Sequence, residues 1–471
     1  MKIKHNEIEI PKENPFLNCK LDRKKYASIL TTIVKTYSEG FVMSVNNKWG
    51  TGKTTFIKMW NQVLINDGFK TLYLNAWEND FDERPLSAIL SELKSLESNP
   101  NSKKIFKQII SKGSVFSKKA LPTILKGVAK QIGADELIQE LVKGATESAT
   151  EILNEEVELY TKKKKGLKEF RIILEEYIVS LKTDKPVVFI VDELDRCRPD
   201  YAVFMLEQIK HFFSVEGIVF ILSIDKEQLG HAIKGVYGTN LINTEEYLRR
   251  FIDIEYSIPM PKAGNYCTYL YNYFSYDDFM LTPERSKHHE FKLEKKDLLS
   301  FATNLFERKE VTLRQQEKVF AYGRIVLNSF SSNHILFPDV YILLIFIKVI
   351  NTDNLYGKIN NKELTIQELV TEIEKVLPDN LERANVNIII ACEARLLCLY
   401  NNYKYEGHDR MKLKDLHSGG TKETLTFLTK YITIENRNFF ERVIDLFIDN
   451  WNGVSLGDLL KKIDLTEDIR I

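Results

Sequence analysis

Apolar and polar positions along this chain change period several times. From Leu21 to Gly40, Tyr26, Leu30, Ile33 and Tyr37 recur at three- and four-residue spacing, which predicts a helix with those residues on one side. Phe41–Val45 is then a short, mostly apolar run, read as a strand, and Thr55–Ile65 returns to helical spacing. Further strand-like runs are Thr71–Trp77, Val187–Val191, Gly217–Asp225 and Phe251–Ile258. Helical stretches separate them. One begins near Pro85, where proline suits a first turn; one leads to Pro186; one is Tyr201–Phe213. Strands that are apolar throughout and alternate with helices predict a parallel sheet covered on both faces, so the fold class is α/β. After Pro259-Met260-Pro261 the period is mostly helical to the end.

This pattern divides the chain. Residues 1–20 read as an extension and 21–260 as the sheet-bearing domain. Within that domain, about 98–165 is an inserted helical segment rich in Lys, Ser, Ala and Glu. Its apolar positions Ile124, Val128, Ile132, Leu137 and Leu141 have helical spacing, and it ends in the basic run Lys162–Lys165. Residues 261–335 and 336–471 form C-terminal helical domains.

Composition narrows the function classes. A chain of 471 residues has room for two to four domains. Lys+Arg and Asp+Glu number 66 each, and the net charge of 0 argues against a generally basic nucleic-acid coat. An apolar share of 44% excludes a disordered chain and a membrane-filling one. Five cysteines, Cys19, Cys197, Cys267, Cys392 and Cys398, include no CxxC pair, so neither a disulfide framework nor a zinc ribbon is expected. The doublet His288-His289 sits in a polar stretch without a cysteine nearby. The first residues lack the apolar core of a secretory signal. The most apolar run, Val340–Ile347, is short and bounded by Asp339 and Lys348, which predicts a buried core helix and no transmembrane segment. A reducing cytoplasm is the expected location.

The candidate chemistry begins at Asn47–Thr54, which matches GxxxxGK[ST] except at its first position. Gly50 and Gly52 let backbone N–H groups turn inward around phosphate oxygens, and the following helix adds its positive end. Lys53 would reach the β- and γ-phosphates, and Thr54 would place its hydroxyl on Mg²⁺. Asn47 replaces the first glycine; asparagine tolerates positive φ, so the turn is allowed. The partner of the loop is Asp192 at the tip of Val187–Val191, placed to hold Mg²⁺ opposite Thr54. Glu193 is suited to polarise a water for attack on the γ-phosphate. Arg196 has two readings, an ion pair with Asp192 or Asp195 and a charge sensor near the phosphate.

With these motifs in order, the chain resembles the KAP family of P-loop NTPases. The resemblance is carried by Trp49-Gly-Thr-Gly-Lys-Thr54, Asn75-Ala-Trp77, Asp192-Glu-Leu-Asp-Arg196, Ile209-Lys-His-Phe-Phe213, Val219–Asp225 and Tyr247-Leu-Arg-Arg-Phe251. It implies an additional-strand ATPase that takes ATP and Mg²⁺, with residues 261–335 as a helical lid bearing Arg314. Bacterial members often act in phage exclusion or defence, and many carry transmembrane helices within the NTPase domain. The insertion at 98–165 is amphipathic and too polar to span. The family often has Asp where Glu193 stands, a change that favours a hydrolytic glutamate here.

The expected nucleotide site is therefore Asn47, Lys48, Trp49, Gly50, Thr51, Gly52, Lys53, Thr54 and Thr55, with Asp225 and Arg314. Thr54 and Asp192 hold the metal, and Glu193 and Lys53 carry the chemistry. Asp225 ends the fourth strand as a γ-phosphate sensor or a helix N-cap, with Ser223 facing the other way. Arg249 or Arg250 could act across a subunit interface. Trp49 and Trp77 could stack on a base, though Trp77 fits a core position. Lys162–Lys165 reads as a solvated helix end. Arg410 with His417, and Asp339 or Asp379, lack the partners that would make a nuclease. Cys392 and Cys398 read as core. The function expected is ATP hydrolysis coupled to a conformational or assembly change, with the C-terminal helical domain binding a second copy or a partner protein. Two alternatives stand beside it, a nucleotide-gated switch with little turnover and a nucleic-acid-dependent motor or loader; nucleic acid as a partner has no motif behind it.

Overall fold

Five parallel strands build one sheet: β1 (Phe41–Asn46), β2 (Thr71–Asn75), β3 (Val187–Asp192), β4 (Ile218–Ile224) and β5 (Ile254–Ser257). Their order is β2-β3-β4-β1-β5, so β4 lies between the strand that feeds the glycine loop and the strand that ends in Asp192. This is the additional-strand arrangement that the resemblance implies. The inner strands β3 and β4 are buried along their whole length, while the edge strands β2 and β5 alternate in burial. Continuous apolar runs in the centre and alternation at the edges follow from covering both faces of a parallel sheet. The register aligns Asn46 with Ile224 and Ser257, and Asp192 with Ser223 and Asn75. The strand tips thus form one row at the carboxyl edge, where open α/β sheets bind ligands.

The computed structural model describes residues 8–113 except 38, and 147–464 except 240, 308–310, 333, 351–352, 379–382, 406–411, 417–422, 433–436 and 450–454. Ile124, Val128, Ile132, Leu137 and Leu141 of the expected insertion lie outside the described residues, as do Asp379, Arg410 and His417. The chain divides into two compact units at Pro259 and Met260.

In the first unit, helices α1 (Lys24–Thr36) and α2 (Lys53–Asn66) cover one face, over Met43, Val45, Val188, Ile190, Val219 and Ile221. The helices Pro85–Lys94, Pro100–Gly113, Glu147–Ser180 and Pro199–Phe212 cover the other, where Phe189 stacks on Phe220 at 5.1 Å. Several expectations shift. The buried stripe of α1 is Ala27, Leu30, Thr31 and Val34, and Tyr37 is exposed. A polar residue sets that phase: Thr31 accepts a hydrogen bond from Trp60 Nε1 at 2.9 Å. β2 stops at Asn75, whose side-chain oxygen accepts from the N–H of Trp77 at 3.1 Å and turns the chain into a 3₁₀ turn. β5 begins only at Ile254, where Asp253 Oδ2 accepts from Val42 N at 2.8 Å. The run Lys162–Lys165 lies within the 34-residue helix Glu147–Ser180, not at a helix end, and Lys162 sits 3.5 Å from Glu158. The start of the expected insertion belongs to the core, for Phe106 and Ile109 are buried and Phe106 packs on Tyr177 at 5.5 Å.

The second unit is mainly helical, with a short antiparallel pair, β6 (Lys414–Leu416) and β7 (Glu423–Leu425), that the helical period did not announce. Val340–Ile347 lies wholly buried in the helix Pro338–Ile350, as a core helix. Among the described residues, no helix is long and apolar enough to cross a membrane. Cys392 and Cys398 are buried, and Asp339 pairs with Arg395.

One buried acid in this unit gives it a pH dependence. Glu393 is 1% exposed and accepts from Thr429 Oγ1 at 3.0 Å. Burial first, and then Glu374, push its carboxyl up to about 8, against the pull of Thr429 and Lys430. The folded form thus holds a proton that the unfolded chain releases near the ordinary carboxylate value. Its contribution is fully present below that value and is lost as pH rises to about 8, at about 1.4 kcal/mol for each unit of separation. Glu393→Gln should flatten the dependence. The urea midpoint of the variant is expected to gain on wild type between pH 6 and pH 8.5; parallel midpoints at both pH values would contradict the assignment.

Candidate functional site

The loop after β1 is held by its own side chains and by two, Asp225 and Arg23, that reach it from elsewhere. Gly50 and Gly52 take positive φ, 76° and 77°, so the backbone folds back on itself there. Asn47 does not. It is held by its side chain instead: Oδ1 accepts from Ile258 N at 2.8 Å, and Nδ2 donates to Ile258 O at 2.7 Å. A glycine could not bridge to the end of β5 in this way. The departure from the loop consensus therefore serves anchoring rather than left-handed backbone. Asp225 Oδ2 accepts from Trp49 N at 3.0 Å, and Thr51 Oγ1 donates to Lys48 O at 2.8 Å. Arg23, from the start of α1, donates to Thr51 O at 2.8 Å and to Gly52 O at 3.1 Å.

α2 begins at Lys53 with no side chain capping it. Its first-turn N–H groups, including those of Thr54 and Thr55, have no partner within the helix and point toward the loop mouth. Lys53 is 9% exposed, and its amine donates to the carbonyls of Asn47 and Lys48. Burial lowers its pKa, while Asp195, Asp225 and Asp192 oppose that fall. Lys53 thus shares one electrostatic site with carboxylates from the tips of β3 and β4 and from the turn after β3.

Each carboxylate has a distinct mooring. Asp192 accepts from Tyr73 Oη at 2.9 Å and from Glu193 N at 2.9 Å. Glu193 takes a left-handed backbone, φ 61°, and its side chain meets Arg196 at 2.6 Å. The ion-pair reading of Arg196 thus needs correction: its carboxylate partner is Glu193, neither Asp192 nor Asp195. The same guanidinium lies 5.7 Å over the Trp77 ring. Trp77 is 52% exposed, so the core expectation for it fails because β2 has already ended. Asp195 is buried and accepts from Trp49 Nε1, which turns that indole inward onto a carboxylate. Burial raises the Asp195 carboxyl, and Trp49 and Lys53 hold it back. Asp225 caps the helix Lys226–Tyr237 through Gln228 N at 3.4 Å, so its N-cap role and its grip on Trp49 coincide. Ser223 Oγ is buried and has no hydrogen-bond partner.

The remaining candidates lie on other elements. Arg249 and Arg250 are exposed after the short helix Thr244–Leu248, and Arg249 pairs with Glu246 at 2.6 Å and Glu245 at 3.4 Å. Arg314 is exposed in the first turn of the helix Leu313–Leu327 of the second unit. Two residues of the site were missed in the sequence, Arg23 and Tyr73. Their partners lie 28 and 119 positions away, and neither belongs to a spaced motif.

The residues present fit a magnesium-bound nucleoside phosphate. A turned glycine loop, an open helix N-terminus and a buried ammonium suit an anion. The Thr54 hydroxyl and the Asp192 carboxylate are hard oxygen donors of the kind Mg²⁺ takes. The family model described as the KAP family P-loop domain matches residues 23–322. No curated protein matches the chain. A solved structure of the Aeropyrum pernix ORC2 protein, in ADPNP-ADP complexes, aligns over 94% of this chain and 97% of its own, at 15% identity and a TM-score of 0.35.

Proposed function

The chain belongs to the KAP family of nucleotide-binding P-loop NTPases, and on that footing we propose that it is a magnesium-dependent ATPase whose turnover drives a conformational or assembly change. The observation that carries this reading is the grouping of Lys53 with Asp192, Asp195 and Asp225, with Glu193 adjoining Asp192 at the tip of β3. Lys53 neutralises charge on the β- and γ-phosphates. Thr54 and Asp192 hold Mg²⁺, and Tyr73 fixes the orientation of Asp192. Bound there, Mg²⁺ would neutralise charge on the phosphates. Glu193 orients the attacking water and accepts its proton. Lys48, Trp49, Gly50, Thr51, Gly52 and Thr55 complete the cradle that Asn47 and Asp225 anchor. The chain has no Asn-Lys-x-Asp guanine-reading motif after a late strand, which favours adenine. Arg314 and one of Arg249 and Arg250 are assigned to the nucleotide from the helical lid and across a subunit interface. The helical unit is the part that binds a second copy or a partner protein. Family resemblance supports defence against phage as the setting.

A nucleotide-gated switch with slow turnover is favoured by one observation, the ion pair with Arg196 that engages the Glu193 carboxylate. Titration calorimetry with ATP and Mg²⁺, beside steady-state phosphate release, separates the two. Wild type should bind and hydrolyse ATP, and EDTA should abolish the hydrolysis. Lys53→Ala should weaken ATP binding by at least about a hundredfold, the loss of a buried charge-assisted contact to phosphate. Tight binding by wild type without measurable turnover would select the switch. Equal ATP affinity in Lys53→Ala and wild type would remove the loop from the site.

A further inference from the structure

A phosphate-binding loop works only if its N–H groups converge on the ligand, and that forces some of its carbonyls outward, into the protein. At the base of this loop the outward carbonyls belong to Thr51 and Gly52. Thr51 is buried, so its carbonyl needs a donor from the protein itself. Arg23 supplies it. Its Nη2 donates to Thr51 O at 2.8 Å and its Nη1 to Gly52 O at 3.1 Å, a two-pronged contact from a side chain that is 2% exposed. The planar guanidinium offers two donors in a fixed fork that matches two successive carbonyls, a geometry that a flexible ammonium does not preset.

The local sequence holds Arg23 in place. Asp22 takes a left-handed backbone, φ 51°, a conformation that aspartate tolerates better than most side chains, and it turns the chain sharply just before α1. Arg23 then sits at the N-cap of α1. α1 is locked to α2 by the Trp60–Thr31 hydrogen bond and by their shared core. The start of α1 and the start of α2 are therefore fixed relative to each other, and Arg23 bridges them.

We propose that Arg23 is a positioning residue of the nucleotide site: it pins the Thr51 and Gly52 carbonyls outward and so presets the loop N–H groups toward the phosphates. Its cation also sits behind the loop, on the side opposite the phosphates, and adds to the field that attracts them. The inference rests on the reading of this loop as a triphosphate cradle. Because the pinned segment serves the phosphates common to ATP and ADP, loss of Arg23 should weaken both nucleotides by the same factor and leave kcat at saturating ATP nearly unchanged.

The test is calorimetric binding of Mg-ATP and Mg-ADP to the full chain as wild type, Arg23→Ala, Arg23→Lys and Lys53→Ala. Arg23→Ala should lose about ten- to hundredfold in affinity for both nucleotides, the range of one or two charge-assisted hydrogen bonds. Arg23→Lys, which keeps the charge but loses the fixed fork, should fall between. Millimolar guanidinium should restore part of the affinity of Arg23→Ala, because the ion fills the vacated cavity; a general loss of fold would only worsen in guanidinium. Wild-type affinity in Arg23→Ala would overturn the proposal. So would a loss that neither Arg23→Lys nor guanidinium moderates, since Arg23 would then serve the fold alone. If wild type binds neither nucleotide while its fold is intact, the ATPase reading fails and this inference falls with it. Loss in Lys53→Ala with none in Arg23→Ala would keep the first and reject the second.

Discussion

Glu193→Gln should hold ATP as tightly as wild type and hydrolyse it about 10²–10⁴ times more slowly, the usual contribution of a positioned general base. The substitution keeps the shape of the side chain and its reach to Arg196 but removes the charge and the proton acceptor. In the structure Glu193 meets Arg196 at 2.6 Å, and its left-handed backbone holds the side chain at the end of β3. On the proposed reading, that turn and the Arg196 cation set the direction of the base. Lys53 and Asp192, proposed to hold the phosphates and the metal, are untouched, so affinity should survive while turnover falls. Phosphate release under saturating ATP, set beside calorimetric affinity, reads both quantities. Turnover within about threefold of wild type would move the base elsewhere. Asp195 is the next acid in the same electrostatic site, but it is engaged by Trp49 Nε1, so it would need that bond broken first.

The glycine loop, the acidic strand tip and the alternation of strand and helix were all legible in the sequence, because each depends on local spacing. The runs Val187–Val191 and Gly217–Asp225 announced buried strands, and the structure buries β3 and β4 completely. What spacing could not announce was pairing between distant segments. Asn47 looked like a tolerated replacement for glycine, and its use became visible only when β5 brought Ile258 beside it. Arg196 had two nearby aspartates to choose from, and the left-handed turn at Glu193 gave it to neither. Trp77 looked apolar enough for a strand, yet the Asn75 side chain ended β2 two residues earlier. Arg23 and Tyr73 left no signal at all, since an arginine before a helix and a tyrosine on an edge strand are common. Polar contacts across the fold are the part of a site that one-dimensional periodicity does not encode.

The second unit should respond most strongly to a change far from any motif. Arg285 is fully buried and pairs with Glu294, itself buried. It donates also to Ser332 O at 3.1 Å and His334 O at 2.7 Å, and its guanidinium lies between the rings of Phe279 at 4.6 Å and Phe291 at 4.2 Å. Glu294 in turn accepts from Leu336 N at 3.3 Å. Burial pushes the Glu294 carboxyl up, and Arg285 is the main group that holds it down. Arg285→Met fills much of the volume but leaves a carboxylate buried without its cation, and removal of one partner from such a pair costs about 3–5 kcal/mol. For a unit of this size that is a fall in melting temperature of about 6–20 °C. With Arg285 gone, the Glu294 carboxyl should rise further and take up a proton on folding. The variant should then recover part of its stability as pH falls from 8 toward 5, because the protonated acid carries no charge to desolvate. Adding Glu294→Leu to Arg285→Met should restore much of the loss, for the same volume then holds no unpaired ion. Thermal melts of the single and double variants at pH 8 and pH 5 check all three statements. A single variant that melts within about 2 °C of wild type at pH 8 would mean that this pair contributes no more than an exposed one does.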